Sequence, residues 1–298
     1  MNHSKRFNLR PQSRPCILPA VRCAILILIL ANCVDAQWIT LSTEGVPRAK
    51  DGKLDRVAPA PFTPDGKPDF SGLWYPGGER QPCGQKPEDC IEQGLGKSLE
   101  GGSDLLLRGL NIAYGMEGGL PYTPWAAELM RQRDQRAGLD DPHVRCLPSN
   151  PPRMFNLPHI TRIIQTPKLL ALLNEFNASY RQIYLDGRTL PKDPVPSWNG
   201  YSVGHWEKDT LVIETIGFRD DLWLDMSGDP LTDSAKMTER IRRPHFGTLE
   251  IQLTVDDPKA YTKPWTVPLE ARAVVDTEMI DEVCLENEKS FQHMQMLK

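Results

Sequence analysis

The 298-residue sequence predicts a mainly β protein, an antiparallel up-and-down barrel or a strongly curved sheet that carries a helical and loop insertion. Three observations predict it. From His159 onward, apolar and polar residues alternate in short runs, the period of strands buried on one face. The runs are joined by tight turn sequences, which orders them as an antiparallel meander. Pro (27 residues) outnumbers Gly (22), more breakers than a helix bundle tolerates. Roughly eight to ten such strands close into a barrel whose interior holds a small ligand.

Residues 1–36 stand outside the fold. Lys5, Arg6, Arg10, Arg14 and Arg22 form a basic region, and Cys23–Ala31 is an apolar run. That run is about half of the ~20 residues a spanning helix needs. With Val34-Asp35-Ala36 before Gln37, it reads as a cleaved secretory signal, so the protein is expected to be secreted or periplasmic. The alternative is a lipoprotein anchor at Cys33, against which Asn32 counts. Residues 37–70, with Pro47, Pro59, Pro61, Pro64 and Pro68, read as an extended proline-rich arm. Residues 71–298 read as a single β-rich domain with the insertion at 76–158.

Inside the insertion, Ser103 is placed to cap a helix over Asp104–Tyr114. Thr123 caps a second, with Pro124 at its first position and Gly138 as its stop. Trp125, Leu129 and the stem of Arg133 form its expected inner face. Strands are expected near Phe70–Trp74 and over Ile160–Gln165, Leu169–Glu175, Tyr180–Leu185, Ser202–Trp206, Thr210–Thr215, Met237–Arg243, Thr248–Val255 and Trp265–Val275. The run Thr248–Val255 alternates most strictly.

Without the signal, 30 Lys and Arg face 38 Asp and Glu, a net charge of −8. An acidic surface argues against nucleic acid as a partner. No later segment is long and apolar enough for a membrane span. Four cysteines then remain, an even number suited to an oxidising compartment. Three pairings are open, and Cys83–Cys90 with Cys146–Cys284 is preferred. The rival is a zinc site from Cys83, Cys90, His143 and Cys146, for which the six-residue spacing is loose, so no metal is expected.

Candidate functional residues come from charges on strand faces that otherwise look buried. Arg181 shares a face with Ile183, Glu175 with Leu173, Glu239 with Met237 and Ile241, and Glu214 with Val212. Buried charges must be paired, and in a barrel they converge on the interior. Glu175, Glu239 and His205 are candidates for proton transfer, with Arg181 stabilising negative charge. Trp206, Tyr184 and Glu214 are candidate ligand contacts. Gly200-Tyr201-Ser202-Val203-Gly204 fits the nucleophile elbow, but β-patterned sequence follows Ser202 where the elbow needs a helix. It reads as a loop leading into a strand. No phosphate loop, dinucleotide fingerprint, zinc-protease or haem motif is present, so no cofactor is expected.

Two resemblances add to this. Gly72-Leu73-Trp74 resembles the Gly-x-Trp signature on the first strand of lipocalin-like barrels, which implies a cup for apolar small molecules. Over about residues 68–288, the strings Pro68-Asp69-Phe70-Ser71-Gly72-Leu73-Trp74, Tyr184-Leu185-Asp186-Gly187-Arg188 and Gly204–Thr215 (GHWEKDTLVIET) are similar to an uncharacterised family of secreted bacterial proteins. Thr238-Glu239-Arg240, Asp256-Asp257-Pro258 and Cys284-Leu285-Glu286-Asn287 continue the likeness, which implies no activity. The expected function is binding of an apolar small molecule. The alternative is a cofactor-independent isomerase, lyase or hydrolase, and the third option is a structural envelope protein.

Overall fold

The computed structural model describes residues 41–77, 111–136 and 138–286. The expected signal, the Cys33 anchor and the Cys83–Cys90 pair lie outside them. So does most of the helix expected over Asp104–Tyr114, whose described end, 111–114, forms turns.

The protein is mainly β, as the alternation predicts. In chain order the strands are β1 (Gly72–Pro76), β2 (Thr161–Gln165), β3 (Leu169–Asn174), β4 (Ser179–Tyr184), β5 (Tyr201–Glu207), β6 (Thr210–Ile216), β7 (Leu222–Trp223), β8 (Pro230–Leu231), β9 (Lys236–His245), β10 (Thr248–Asp256) and β11 (Trp265–Val274). Nine of them close into a barrel in the order β1-β11-β10-β9-β6-β5-β4-β3-β2, with β2 returning to β1. β7 and β8 form a separate two-stranded ribbon that the sequence pattern does not reveal. Every barrel pair is antiparallel except β4 with β5, which is parallel. This single departure from an up-and-down meander creates the cleft described below.

Period-two alternation decides what fills the barrel. Leu170 and Leu172 of β3, Ile183 of β4, Leu211 and Ile213 of β6, Met237 and Ile241 of β9, and Leu249 to Val255 at alternate positions of β10 all join one buried cluster. Burying each large apolar side chain stabilises the fold by roughly 1.5–3 kcal/mol. Gly204 faces the same interior: a Cβ there would lie 2.8 Å from Leu185 Cδ2, so its lack of a side chain lets β4 and β5 approach.

Both barrel ends are closed. At one end the arm packs Phe70 against Trp206, ring centroids 5.4 Å apart. Phe70 N donates to Gln165 Oε1 at 2.8 Å, and Trp74 Nε1 donates to Phe70 O at 2.8 Å. Arg243 donates to the carbonyls of Asp69 and Phe246, and its burial pulls its pKa down to about 10. At the other end lie two helices, α1 (Pro124–Gln135) and the short, wholly buried α2 (Arg153–Asn156). Asn150 Nδ2 and Asn156 Nδ2 donate to Trp223 O and Leu224 O, tying this cap to the β7–β8 ribbon. Thr123 caps α1 as expected. Of the expected inner face, Arg133 is buried and Leu129 half-buried, but Trp125 is 47% exposed and Ala126 takes its place against the core.

Cys146 and Cys284 are disulfide-bonded across 138 residues, which fixes the C-terminal segment beside β3. Cys146 is therefore not part of a zinc site. Among the described residues, no helix is long and apolar enough to cross a membrane.

Candidate ligand-binding cleft

A parallel join forces a return connection. Residues 185–200 must run back along the barrel before β5 can start beside β4. Pro191, Pro194 and Pro196 keep this segment extended and prevent a crossover helix. Ser197 pins it to the chain beyond β6: its N donates to Gly217 O, and Arg219 N donates to Ser197 O, both at 3.0 Å. β4 and β5 share only two register positions, Ile183 with Ser202 and Tyr184 with Val203. The first half of β4 therefore faces loop, not strand. Asn199 Nδ2 bridges part of the gap by donating to Tyr180 O at 2.8 Å.

The rest of the gap is a cleft of about 710 Å³. Tyr180, Tyr184, Tyr201 and Trp198 line it with rings, and Pro194 and Val195 add aliphatic surface. Tyr180 is 64% and Val195 87% exposed, a notable outlay of apolar surface to solvent. Tyr184 packs against Tyr201 at 5.4 Å, and the Arg188 guanidinium lies 3.8 Å from the Tyr184 ring centroid. Arg188 also donates to Tyr201 Oη at 3.2 Å and pairs with Asp186, so the rim is held in place.

Arg181 and Ser202 also line the cleft, and beneath them lies a closed polar network. Arg181 Nη1 donates to Glu239 Oε1 at 3.0 Å and Nη2 to Glu239 Oε2 at 2.5 Å. Nη2 also donates to Thr215 Oγ1 at 2.9 Å, and Nε donates to Ser202 Oγ at 3.3 Å. The Arg181 and Glu239 side chains are 1% and 2% exposed. Both charges are matched and shut off from solvent, which makes the pair a brace under the cleft floor.

The other candidates do not join them. Glu175 lies on the outer side, where its carboxylate accepts from Ile160 N (2.8 Å) and Ile280 N (3.3 Å) and clamps the C-terminal segment. His205 is exposed on the outer face of β5, 3.5 Å from Glu207 Oε1. Glu214 pairs with Lys236 on the outer face of β6. Trp206 points inward at the opposite barrel end. Of the set, Arg181 and Tyr184 line the cleft and Glu239 backs it. The reason is that β3 and β6 carry apolar residues on both faces: Val212 is buried yet outward, so sharing its face does not place Glu214 inside. The cleft residues missed by that reasoning, Trp198, Asn199 and Tyr201, sit together in the sequence beside three prolines, and this aromatic cluster in a loop was the available signal.

A second polar cluster lies in the far cap. Asp225 accepts from Ile112 N, Gly228 N and Asp229 N at 2.6, 2.9 and 3.1 Å. Tyr122 Oη donates to Asp229 Oδ1, while Asp229 Oδ2 is buried without a partner. Burial, and then the Asp225 charge, raise the Asp229 carboxyl well above its ordinary range. Burial and Asp229 likewise raise the Tyr122 phenol.

Comparison of the chain with protein-family models, with curated proteins and with solved structures finds no match.

Proposed function

We propose that this protein is exported and binds a small, largely apolar molecule in the cleft beside the parallel β4–β5 join. The observation that carries the reading is the ring-lined gap of about 710 Å³, within the size range of small-molecule sites. The Cys146–Cys284 bond supports an oxidising compartment. The acid–base alternative has less support, since Glu175, His205 and Glu239 lie apart and Glu239 is fully engaged by Arg181.

The test is titration with the neutral fluorophore N-phenyl-1-naphthylamine. Saturable one-to-one binding is expected in the wild type. Val195→Asp should weaken it at least tenfold, because an apolar ligand would then strand a carboxylate without water. Val195 is so exposed that the substitution leaves the fold intact. Absence of saturable binding, or equal binding by the variant, overturns the reading.

A further inference from the structure

Strand β4 has two edges, and the register of its neighbours says what each one does. Toward β3 it pairs along its whole length, from Ser179 opposite Asn174 to Tyr184 opposite Leu169. Just beyond, Leu185 N donates to Lys168 O at 2.9 Å. Bonded positions alternate in an antiparallel ladder, so Ser179, Arg181 and Ile183 turn their backbone groups toward β3. Tyr180, Gln182 and Tyr184 turn theirs the other way, toward β5 and the cleft.

On that side the ladder is short. Its register positions, Ile183 with Ser202 and Tyr184 with Val203, take up Gln182 O, Tyr184 N and Tyr184 O. Asn199 Nδ2 takes up Tyr180 O at 2.8 Å. Tyr180 N and Gln182 N remain, and neither meets an acceptor among the described residues. Both residues are exposed and line the cleft. The open edge is therefore one-sided: it offers N–H donors, and its carbonyls are already engaged.

An ordinary incoming strand fits such an edge badly, because its own N–H groups find the carbonyls taken. A prolyl residue has no N–H and brings only a carbonyl and an apolar ring. Aromatic-lined grooves are also the surfaces on which proline-rich segments dock. We propose that the cleft takes a short, extended, proline-rich peptide, with its rings among Tyr180, Tyr184, Tyr201 and Trp198 and its carbonyls on Tyr180 N and Gln182 N. This rests on the cleft being a binding site and names the class of its apolar occupant.

The probe is acetyl-tetraproline amide, with acetyl-tetraalanine amide as a control of equal length. Both are read by displacement of N-phenyl-1-naphthylamine. Tetraproline should displace it, and tetraalanine should bind at least tenfold more weakly. Amide hydrogen exchange followed by NMR tests the donors in the wild type. In the free protein the Tyr180 and Gln182 amides should exchange fast while Arg181 between them is protected, and tetraproline should slow both. Gln182→Pro removes one donor and no ladder bond, so it should keep the wild-type melting temperature and lose at least tenfold in peptide affinity. Gln182→Ala keeps the donor and should bind as the wild type does. Saturable fluorophore binding that tetraproline does not displace overturns the peptide and leaves the cleft reading standing. Equal affinity for the two peptides overturns the acceptor-only requirement. Tyr180 and Gln182 amides that are protected in the free protein, or that bound peptide leaves unchanged, overturn the assignment of the donors. Failure of the peptides and of the fluorophore to bind overturns the cleft reading itself. The exchange measurement needs no variant, so a folding defect in Gln182→Pro does not remove the test.

Discussion

Arg181 on β4 and Glu239 on β9 meet inside the barrel through two hydrogen bonds of 3.0 and 2.5 Å, across two intervening strands. Ser202 of β5 and Thr215 of β6 complete the contact, their hydroxyls 2.9 Å apart. One ion pair therefore links four neighbouring strands, including the two that share only a short parallel ladder. Breaking such a pair leaves an unmatched buried charge at a cost of about 3–5 kcal/mol. Glu239→Gln is expected to lower unfolding free energy by an amount of that order. The double variant Arg181→Met/Glu239→Leu should recover much of the loss. Urea unfolding measures both, and a Glu239→Gln protein as stable as wild type would show that the brace carries no load.

His143 gives stability an acid-side slope. It stacks on Phe176 at 3.9 Å, and burial followed by the charge of Arg153 pushes its pKa down to about 4. A depressed pKa means that the neutral form is the one the fold accepts. Its contribution is complete above the unfolded value of about 6.5 and is lost as pH falls through about 4. The stake is on the order of 3 kcal/mol. His143→Phe keeps the stacking and should flatten stability between pH 6.5 and 4; an unchanged slope counts against the assignment.

Asp229 acts with the opposite sign. Its raised pKa means the native state holds a proton that the unfolded state releases. Its contribution is complete below the ordinary carboxylate pKa and is lost as pH rises through the raised one. Asp229→Asn mimics the neutral acid, so it should be near neutral at low pH and stabilising at high pH. Below pH 6.5 the Asp229 and His143 slopes oppose, so the difference between each variant and wild type must be read across pH. Infrared spectroscopy across a pH titration should also show a protonated carboxyl band that persists above the ordinary carboxylate range and that Asp229→Asn removes.

The disulfide closes a loop of 138 residues and shortens the unfolded chain's reach. Loop-closure arguments give about 4–5 kcal/mol for a loop of that size. Cys146→Ala/Cys284→Ala should melt well below wild type under oxidising conditions. The segment around Ile280–Glu286 should become open to limited proteolysis, since the bond, Glu175 and Asn177 together hold it. Equal melting temperatures would mean the segment is held without the bond.

Gly200 sets the cleft's far edge. Its φ is +64°, and a Cβ there would lie 2.7 Å from Ile216 O. Gly200→Ala has to displace backbone, so it should cost about 1–3 kcal/mol and reduce N-phenyl-1-naphthylamine binding as Tyr201 shifts. Retained binding at wild-type stability would show that this turn does not position the cleft.

The strands were legible because each alternates over enough residues to reveal its period: β10 reads directly from Thr248 to Val255. The barrel-wide partnership of Arg181 with Glu239 was legible only in part. Both faces were assigned from apolar neighbours, and the same rule misplaced Glu214 and Glu175, whose apolar neighbours lie on the outside. The cleft was not legible, because it results from strand direction. Local sequence gives a strand its period but does not say that β5 runs parallel to β4. The Asp225–Asp229 cluster was hidden for a similar reason: two acids beside a glycine look like a solvated turn until the cap covers them.

The closing seam of the barrel lies between β1 and β11, where Leu73 faces Val274. During synthesis, β1 emerges long before either of its neighbours: β2 begins at Thr161 and β11 at Trp265. Until both arrive, the backbone groups of Leu73–Pro76 have no ladder, and an unpaired edge is a template for another chain. Barrel closure is thus a late, non-local event, and such contacts form slowly. A chain shortened before Trp265 would lack the strand that seals the ring, so its expected fate is pairing with its own copies in place of a smaller barrel.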